Sequence, residues 1–153
     1  MDDVFDVLPG HSLELCYLSP DDTGIAFVSR TGEDNGVAGR VSPVVKRNDE
    51  SGDEELIEPA PAGSITVALG GSVLSPFLQE EPFYTGFHVA YLVAKDATMT
   101  VAEKLWYVEA IKSHRFRFNY GRQANKQLPT LRIPLAPSYV SKHSVPDLMA
   151  LIA

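Results

Sequence analysis

Cysteine is almost missing from this chain: Cys16 stands alone among 153 residues. A single thiol excludes a disulfide frame and a thiolate metal site, and it suits a reducing, cytoplasmic setting. On a strand, a lone Cys is expected to be a buried small hydrophobe. No apolar run approaches the length of a membrane span, and Met1-Asp2-Asp3 lacks signal-peptide character. The four histidines (His11, His88, His114, His143) are scattered without metal-ligand spacing. Gly70-Gly71-Ser72 is followed by no lysine, so it is not a phosphate-binding P-loop. Glu80-Glu81 is an adjacent pair before Pro82, unlike two carboxylates held across a glycosidase cleft. The Asn/Asp-Pro-Pro-Tyr/Phe element that holds the target amine in amino-methyltransferases is missing, and so is a nuclease carboxylate triad with its lysine. The expectation is a protein with no catalytic residue, no metal and no cofactor.

What is present suits one ordinary globular domain, with 44% hydrophobic and 22% charged residues. The net charge of -7 is unevenly spread. Residues 1–63 hold 14 acidic and 4 basic side chains, and residues 64–153 hold 6 acidic and 9 basic. Local field rather than total charge decides where a polyanion docks, so the second region is the one to search for nucleic-acid contacts.

Along the chain, short strands and turns dominate the first two thirds. Val4 to Leu8 and Leu13 to Leu18 pattern as strands, with a turn or short helical start at Ser19 to Gly24. Ile25 to Val28 is a compact strand, followed by a polar loop from Ser29 to Gly36 and a strand from Val37 to Val41. The acidic stretch at 46–60 (Asp49, Glu50, Asp53, Glu54, Glu55, Glu58) is expected to be a mobile surface loop. A sharper reading makes it an arm that mimics DNA phosphates. Ser64 to Leu69, Val73 to Leu78, Phe83-Tyr84 and His88 to Val93 complete the strand candidates.

The period then changes. Thr100-Val101-Ala102-Glu103 is a capping box, and Val101, Leu105, Val108 and Ile111 form an apolar stripe beside Trp106. This predicts the main helix over about 100–115, with Trp106 and Tyr107 as core or rim packing. Leu128, Leu131, Ile133 and Leu135 suit a closing strand, and Val145 to Ile152 a short C-terminal helix behind Ser144 and Pro146. The fold class is therefore α/β (α+β): a β-rich single domain over 4–140 with one main helix, then a tail at 141–153.

Chemistry concentrates where that helix ends. Lys112, Arg115, Arg117, Arg122 and Lys126 lie close to Asn119, Tyr120, Gln123 and Asn125. Cations grip phosphates, and paired donors and acceptors on Arg, Gln and Asn read base edges. The plain alternative is a solvated helix end followed by a glycine turn.

The order of motifs resembles the target recognition domain of DNA-specificity subunits in type I restriction–modification systems and their type IIB relatives. The resemblance rests on Val4-Phe5-Asp6-Val7, Gly10, Ser12 to Leu15, Ile25 to Thr31 and Asn35-Gly36-Val37. It continues through Pro61 to Val67, Gly70 to Val73, Glu81 to Gly86, Tyr120 to Asn125 and Leu128 to Leu135, spanning roughly Val4 to Pro137. It implies a twisted β-rich module that reads one half of a split double-stranded DNA target while partner subunits methylate or cleave. Full subunits of that family carry two such domains separated by long helices that dock the methyltransferase. The matching loops are Ser29 to Asn35, Gly70 to Ser75 and Arg115 to Lys126. They nominate Arg30, Arg122 and Lys126 for phosphate or guanine, and Gln123, Asn125 and Asn119 for adenine edges. Thr31, Asn35, Ser72, Lys112, Arg115, Arg117 and Tyr120 complete the expected interface.

Two functions compete at this point. One is a non-catalytic, sequence-specific DNA-binding domain serving a methyltransferase subunit or pairing as a homodimer. The other is a stand-alone protein-binding module, of viral or mobile-element origin, that docks on a host restriction or defence complex.

Overall fold

A computed structural model of the chain describes residues 1–118, 124 and 127–140. Among these, the strands are β1 (Phe5–Pro9), β2 (Pro20–Val28), β3 (Val37–Val41), β4 (Val45–Arg47), β5 (Glu54–Leu56), β6 (Ile65–Ala68), β7 (Pro76–Leu78), β8 (Phe83–Thr85) and β9 (Val89–Ala94). The one α-helix among the described residues is α1 (Val101–Lys112), followed by a 3-10 turn at Arg115–Phe118. The domain is β-rich with one main helix, as its patterning predicts.

Two sheets carry the fold. An antiparallel sheet runs β1-β9-β6-β7, and a mixed sheet runs β3-β2-β8, with β2 and β8 parallel. Residues Ile25 to Val28 form a continuous apolar run because both faces of β2 are covered. Ala26 and Val28 pack with Phe83 and Val89, while Phe27 turns the other way to Val41 and Tyr84. The largest core joins Phe5, Ile65, Val67, Leu92, Tyr107 and Ile111. There the Phe5 and Tyr107 rings meet edge to face at 5.1 Å. Tyr107 also accepts the Ala136 amide at 3.1 Å, tying the chain beyond Leu131 to the helix.

Helix α1 begins where expected, with Thr100 Oγ1 accepting the Glu103 amide at 3.2 Å. It ends at Lys112, earlier than the predicted 115. Its expected apolar stripe divides. Ile111 is buried with Ala102 and Tyr107, whereas Val101 is 55% exposed and Leu105 and Val108 are only part-covered. The main core takes Tyr107 and Ile111 of this helix, with Trp106 and Val108 packed at its margin.

Several other expectations are corrected. Leu13 to Leu18 is no strand: Leu13 makes one bridge to Gly86, and Leu15–Tyr17 is a 3-10 turn. Cys16 lies on that turn and is exposed, not buried. Ser19 to Gly24 enters β2 instead of turning, with an irregular register between Pro20 and Ile25. Leu128 to Leu135 is not a strand either, since Pro129 and Pro134 remove backbone donors. Leu128 and Leu131 are buried nonetheless.

The acidic 46–60 stretch contains a hairpin rather than an irregular loop. Antiparallel β4 and β5 pair Lys46 with Glu55 and Arg47 with Glu54, so opposite charges face each other across the strands. Gly52, at a φ of 72°, serves the turn between them. The root of the hairpin is pinned by Tyr84, whose hydroxyl donates to Ile57 O at 2.7 Å and accepts the Val44 amide at 3.1 Å. The predicted C-terminal helix at 145–152 lies outside the described residues.

Candidate nucleic-acid interface

Three connections converge at one end of the two sheets. The loop after β2, the turn between β6 and β7, and the tight turn between β8 and β9 all lie there. The Ser72 amide donates to Arg30 O at 3.2 Å, and the Leu69 amide donates to His88 O at 2.7 Å. A Cβ built on Gly32 would sit 3.3 Å from Ser72 and from Ser75 Oγ, so the first loop lies directly on the second. Gly71, at a φ of 61°, leaves 3.1 Å between its own Cβ position and Arg30 Cβ. Only a residue without a side chain fits both demands.

This end also holds side chains in left-handed backbone, Leu74 at φ 54° and His88 at φ 57°. Such residues cost about 1–3 kcal/mol unless their surroundings hold them. Leu74 is held by burial, at 1% exposure, and by its amide bond to Ala68 O at 2.8 Å. The irregular backbone here is therefore fixed in place.

The 119–126 segment reaches the same end through the one residue of it that is described. Ala124 is fully buried, and its amide donates to Leu69 O at 3.1 Å, one residue before the Gly70-Gly71-Ser72 turn. Asn119, Tyr120, Arg122, Gln123, Asn125 and Lys126 flank it in sequence but lie outside the described residues. Arg115 is exposed, and Arg117 belongs to the same 3-10 turn.

Of the remaining predicted residues, Arg30, Thr31 and Ser72 are brought together. Arg30 is exposed and makes no ion pair among the described residues, where Arg40–Glu81 is the ion pair found. Thr31 shapes the loop, its Oγ1 accepting the Glu33 amide at 3.2 Å. Asn35 faces away from this group. Its Nδ2 donates to Leu78 O at 3.1 Å, and its carbonyl accepts Gln79 Nε2 at 2.9 Å, so it braces the loop against β7. Lys112 lies on the outer side of α1, in line with Val101, Leu105 and Val108.

The turn after β8 was not anticipated as part of this surface. His88 packs 3.6 Å from the Cβ position of Gly70, and Phe87 beside it is 46% exposed. The available signal was Thr85-Gly86 between two strand patterns, a place for a tight turn carrying exposed residues. Chemically, the assembled end offers the exposed Arg30 guanidinium, hydroxyls and an imidazole on a fixed backbone. Among the described residues no group of His, Cys, Asp or Glu could hold a metal ion. No helix among them is long and apolar enough to cross a membrane.

Neither a family model nor a curated protein matches the sequence. Solved structures do. The crystal structure of a type I restriction–modification S subunit from M. genitalium superposes with a TM-score of 0.64 at 21% identity, covering 98% of this chain and 37% of that one. The HsdS subunit from Thermoanaerobacter tengcongensis gives 0.66 at 16% identity, covering 99% and 36%. A chain from a structure addressing complex assembly and conformational transition of the type I restriction–modification system gives 0.66 at 18%, covering 98% and 36%. The chain thus spans little more than a third of the length of these proteins. Its fold is the one found in the S subunits of type I restriction–modification systems.

Proposed function

We propose that this chain recognises a DNA sequence for a restriction–modification system, as a non-catalytic target recognition domain. The carrying observation is the fold, shared over nearly the whole chain with type I S subunits. The loop-bearing end supports the same reading. It presents Arg30, Thr31 and Ser72 on one fixed surface, with buried Ala124, a member of the basic, amide-rich 119–126 sequence, bonded to Leu69 beside it. His88 extends the surface. In this reading Arg30, Arg115 and Arg117 meet phosphates or guanine, and Gln123, Asn119 and Asn125 read adenine edges. Arg122, Lys126 and Tyr120 complete the grip. Asn35 is left to the scaffold. Partner subunits, a methyltransferase among them, supply the chemistry.

Selection from a random duplex pool tests this. A single enriched motif is the expected result, with binding that weakens steeply as salt rises. Arg30→Ala should flatten the salt slope by about 1 if it holds a phosphate, or relax one base position by about 1–3 kcal/mol if it reads guanine. A pool that yields no motif, with Arg30→Ala binding as the parent does, would refute the reading.

A further inference from the structure

Helix α1 is apolar on two sides. Tyr107 and Ile111 enter the main core and Ala102 is buried, while Val101, Leu105 and Val108 line an open groove beside the helix, Val108 also packing against that core. The outer residues, with Lys112, follow each other at steps of four, three and four, the spacing of a seam between paired helices. The groove beside them has a volume of about 1040 Å³ and is walled by Phe77 and Leu78 and, from β3, by Val37. That matches or exceeds the upper end of small-molecule clefts, about 300–1,000 Å³, and the groove is open to the outside. An open apolar groove is a recurrent seat for a helix anchored by side chains at helical spacing.

The charges at its two ends select the occupant. Glu80 lines the groove, and its neighbour Gln79 accepts the Gly63 amide at 2.7 Å. The Cβ position of Gly63 lies 2.9 Å from Lys104 Nζ, which sets Glu80 beside the first half of α1. Lys112 ends the seam at the opposite end. Glu80 and Lys112 are both exposed, and neither makes an ion pair among the described residues.

We propose that this seam pairs with the same seam of a second copy of the chain, antiparallel across a twofold axis between Leu105 and Val108. In that arrangement Leu105 of each copy meets Val108 of the other, and Lys112 of each approaches Glu80 of the other. The surface is self-complementary, as an isologous interface must be. Arg30 and Ser72 do not line the groove, and the pairing stands whether or not their loops bind DNA.

Sedimentation velocity of the full chain without DNA, over a dilution series, tests it. The expected result is a dimer that dissociates on dilution. Leu105→Asp should raise its dissociation constant at least about tenfold. Lys112→Glu should weaken it several-fold, and adding Glu80→Lys should restore it. These last two positions are exposed, so the charge swap decides the matter even if Leu105→Asp fails to fold. A monomer at every concentration overturns the proposal. So does a dimer indifferent to the charge swap.

Discussion

The loop-bearing end and the β4–β5 hairpin invert the usual association of regular structure with firm placement. The hairpin has strand pairing and a well-formed turn, yet every residue of both strands is exposed, Val45 and Leu56 included. The loop end has little regular structure, yet Leu74 and Ala124 are buried there and backbone bonds cross from one connection to the next. Ladder hydrogen bonds exchange for water at little net gain, whereas burial removes apolar surface from water outright. A surface that must hold a fixed shape is thus better built on buried anchors than on an isolated hairpin.

Truncating an anchor on each side should produce the largest contrast. Leu74→Ala is expected to cost about 2–5 kcal/mol in urea denaturation, as for a buried leucine. Leu56→Ala should cost less than about 0.5 kcal/mol. Equal losses would break the comparison.

Two glycines sharpen it further, since both have positive φ but different surroundings. Gly71→Ala should cost about 1–2 kcal/mol from its left-handed backbone and more from crowding Arg30. Gly52→Ala carries the same backbone term, but nothing lies within 4 Å of its Cβ position. The difference between the two measures the packing of the loops on each other. Under the proposed function, only Gly71→Ala should alter DNA binding.

The hairpin root offers a smaller effect. Tyr84→Phe removes a hydroxyl with a donor bond to Ile57 and an acceptor bond from Val44. It should cost about 1–2 kcal/mol, with faster hydrogen exchange at Val44 while the loop-end amides of Leu69 and Leu74 stay protected.

Acid titration should give the smallest change. The Thr98 hydroxyl and amide hold the Asp96 carboxyl below its usual 3.8, and the Thr23 hydroxyl and amide, with Ser42, do so for Asp21. Because both are depressed on folding, their contribution is present above pH 3.8 and fades as pH falls through the lower folded values. Asp96→Asn should remove its share of that acid sensitivity in denaturation midpoints measured across this window. An unchanged profile would show that Asp96 contributes none.

Strong local patterns were legible in the residues themselves. Ile25 to Val28, Ser64 to Leu69 and His88 to Val93 contain the β2, β6 and β9 cores because dense β-branched and apolar runs have few other uses. Thr100-Val-Ala-Glu marks the start of α1 because an N-cap acts within one turn. Weak patterns misled: alternation at Leu13 to Leu18 had no partner strand, and acidity at 46–60 concealed cross-strand pairs of opposite charge. Asn35 looked like a DNA contact by loop membership alone, yet its amide group bonds to β7. Nothing local reveals that, because the partner Leu78 is forty-three residues away.

Composition and spacing thus determined the class of this protein: β-rich with one main capped helix and a polar loop set, all properties of neighbouring residues. Tertiary structure alone decided which residues of α1 enter the core, that Arg30 and Ser72 share a surface with the turn at Phe87-His88, and that Ala124 is buried beside Leu69. Those outcomes depend on contacts between distant segments, where burial and backbone bonding choose among placements that local pattern leaves equal.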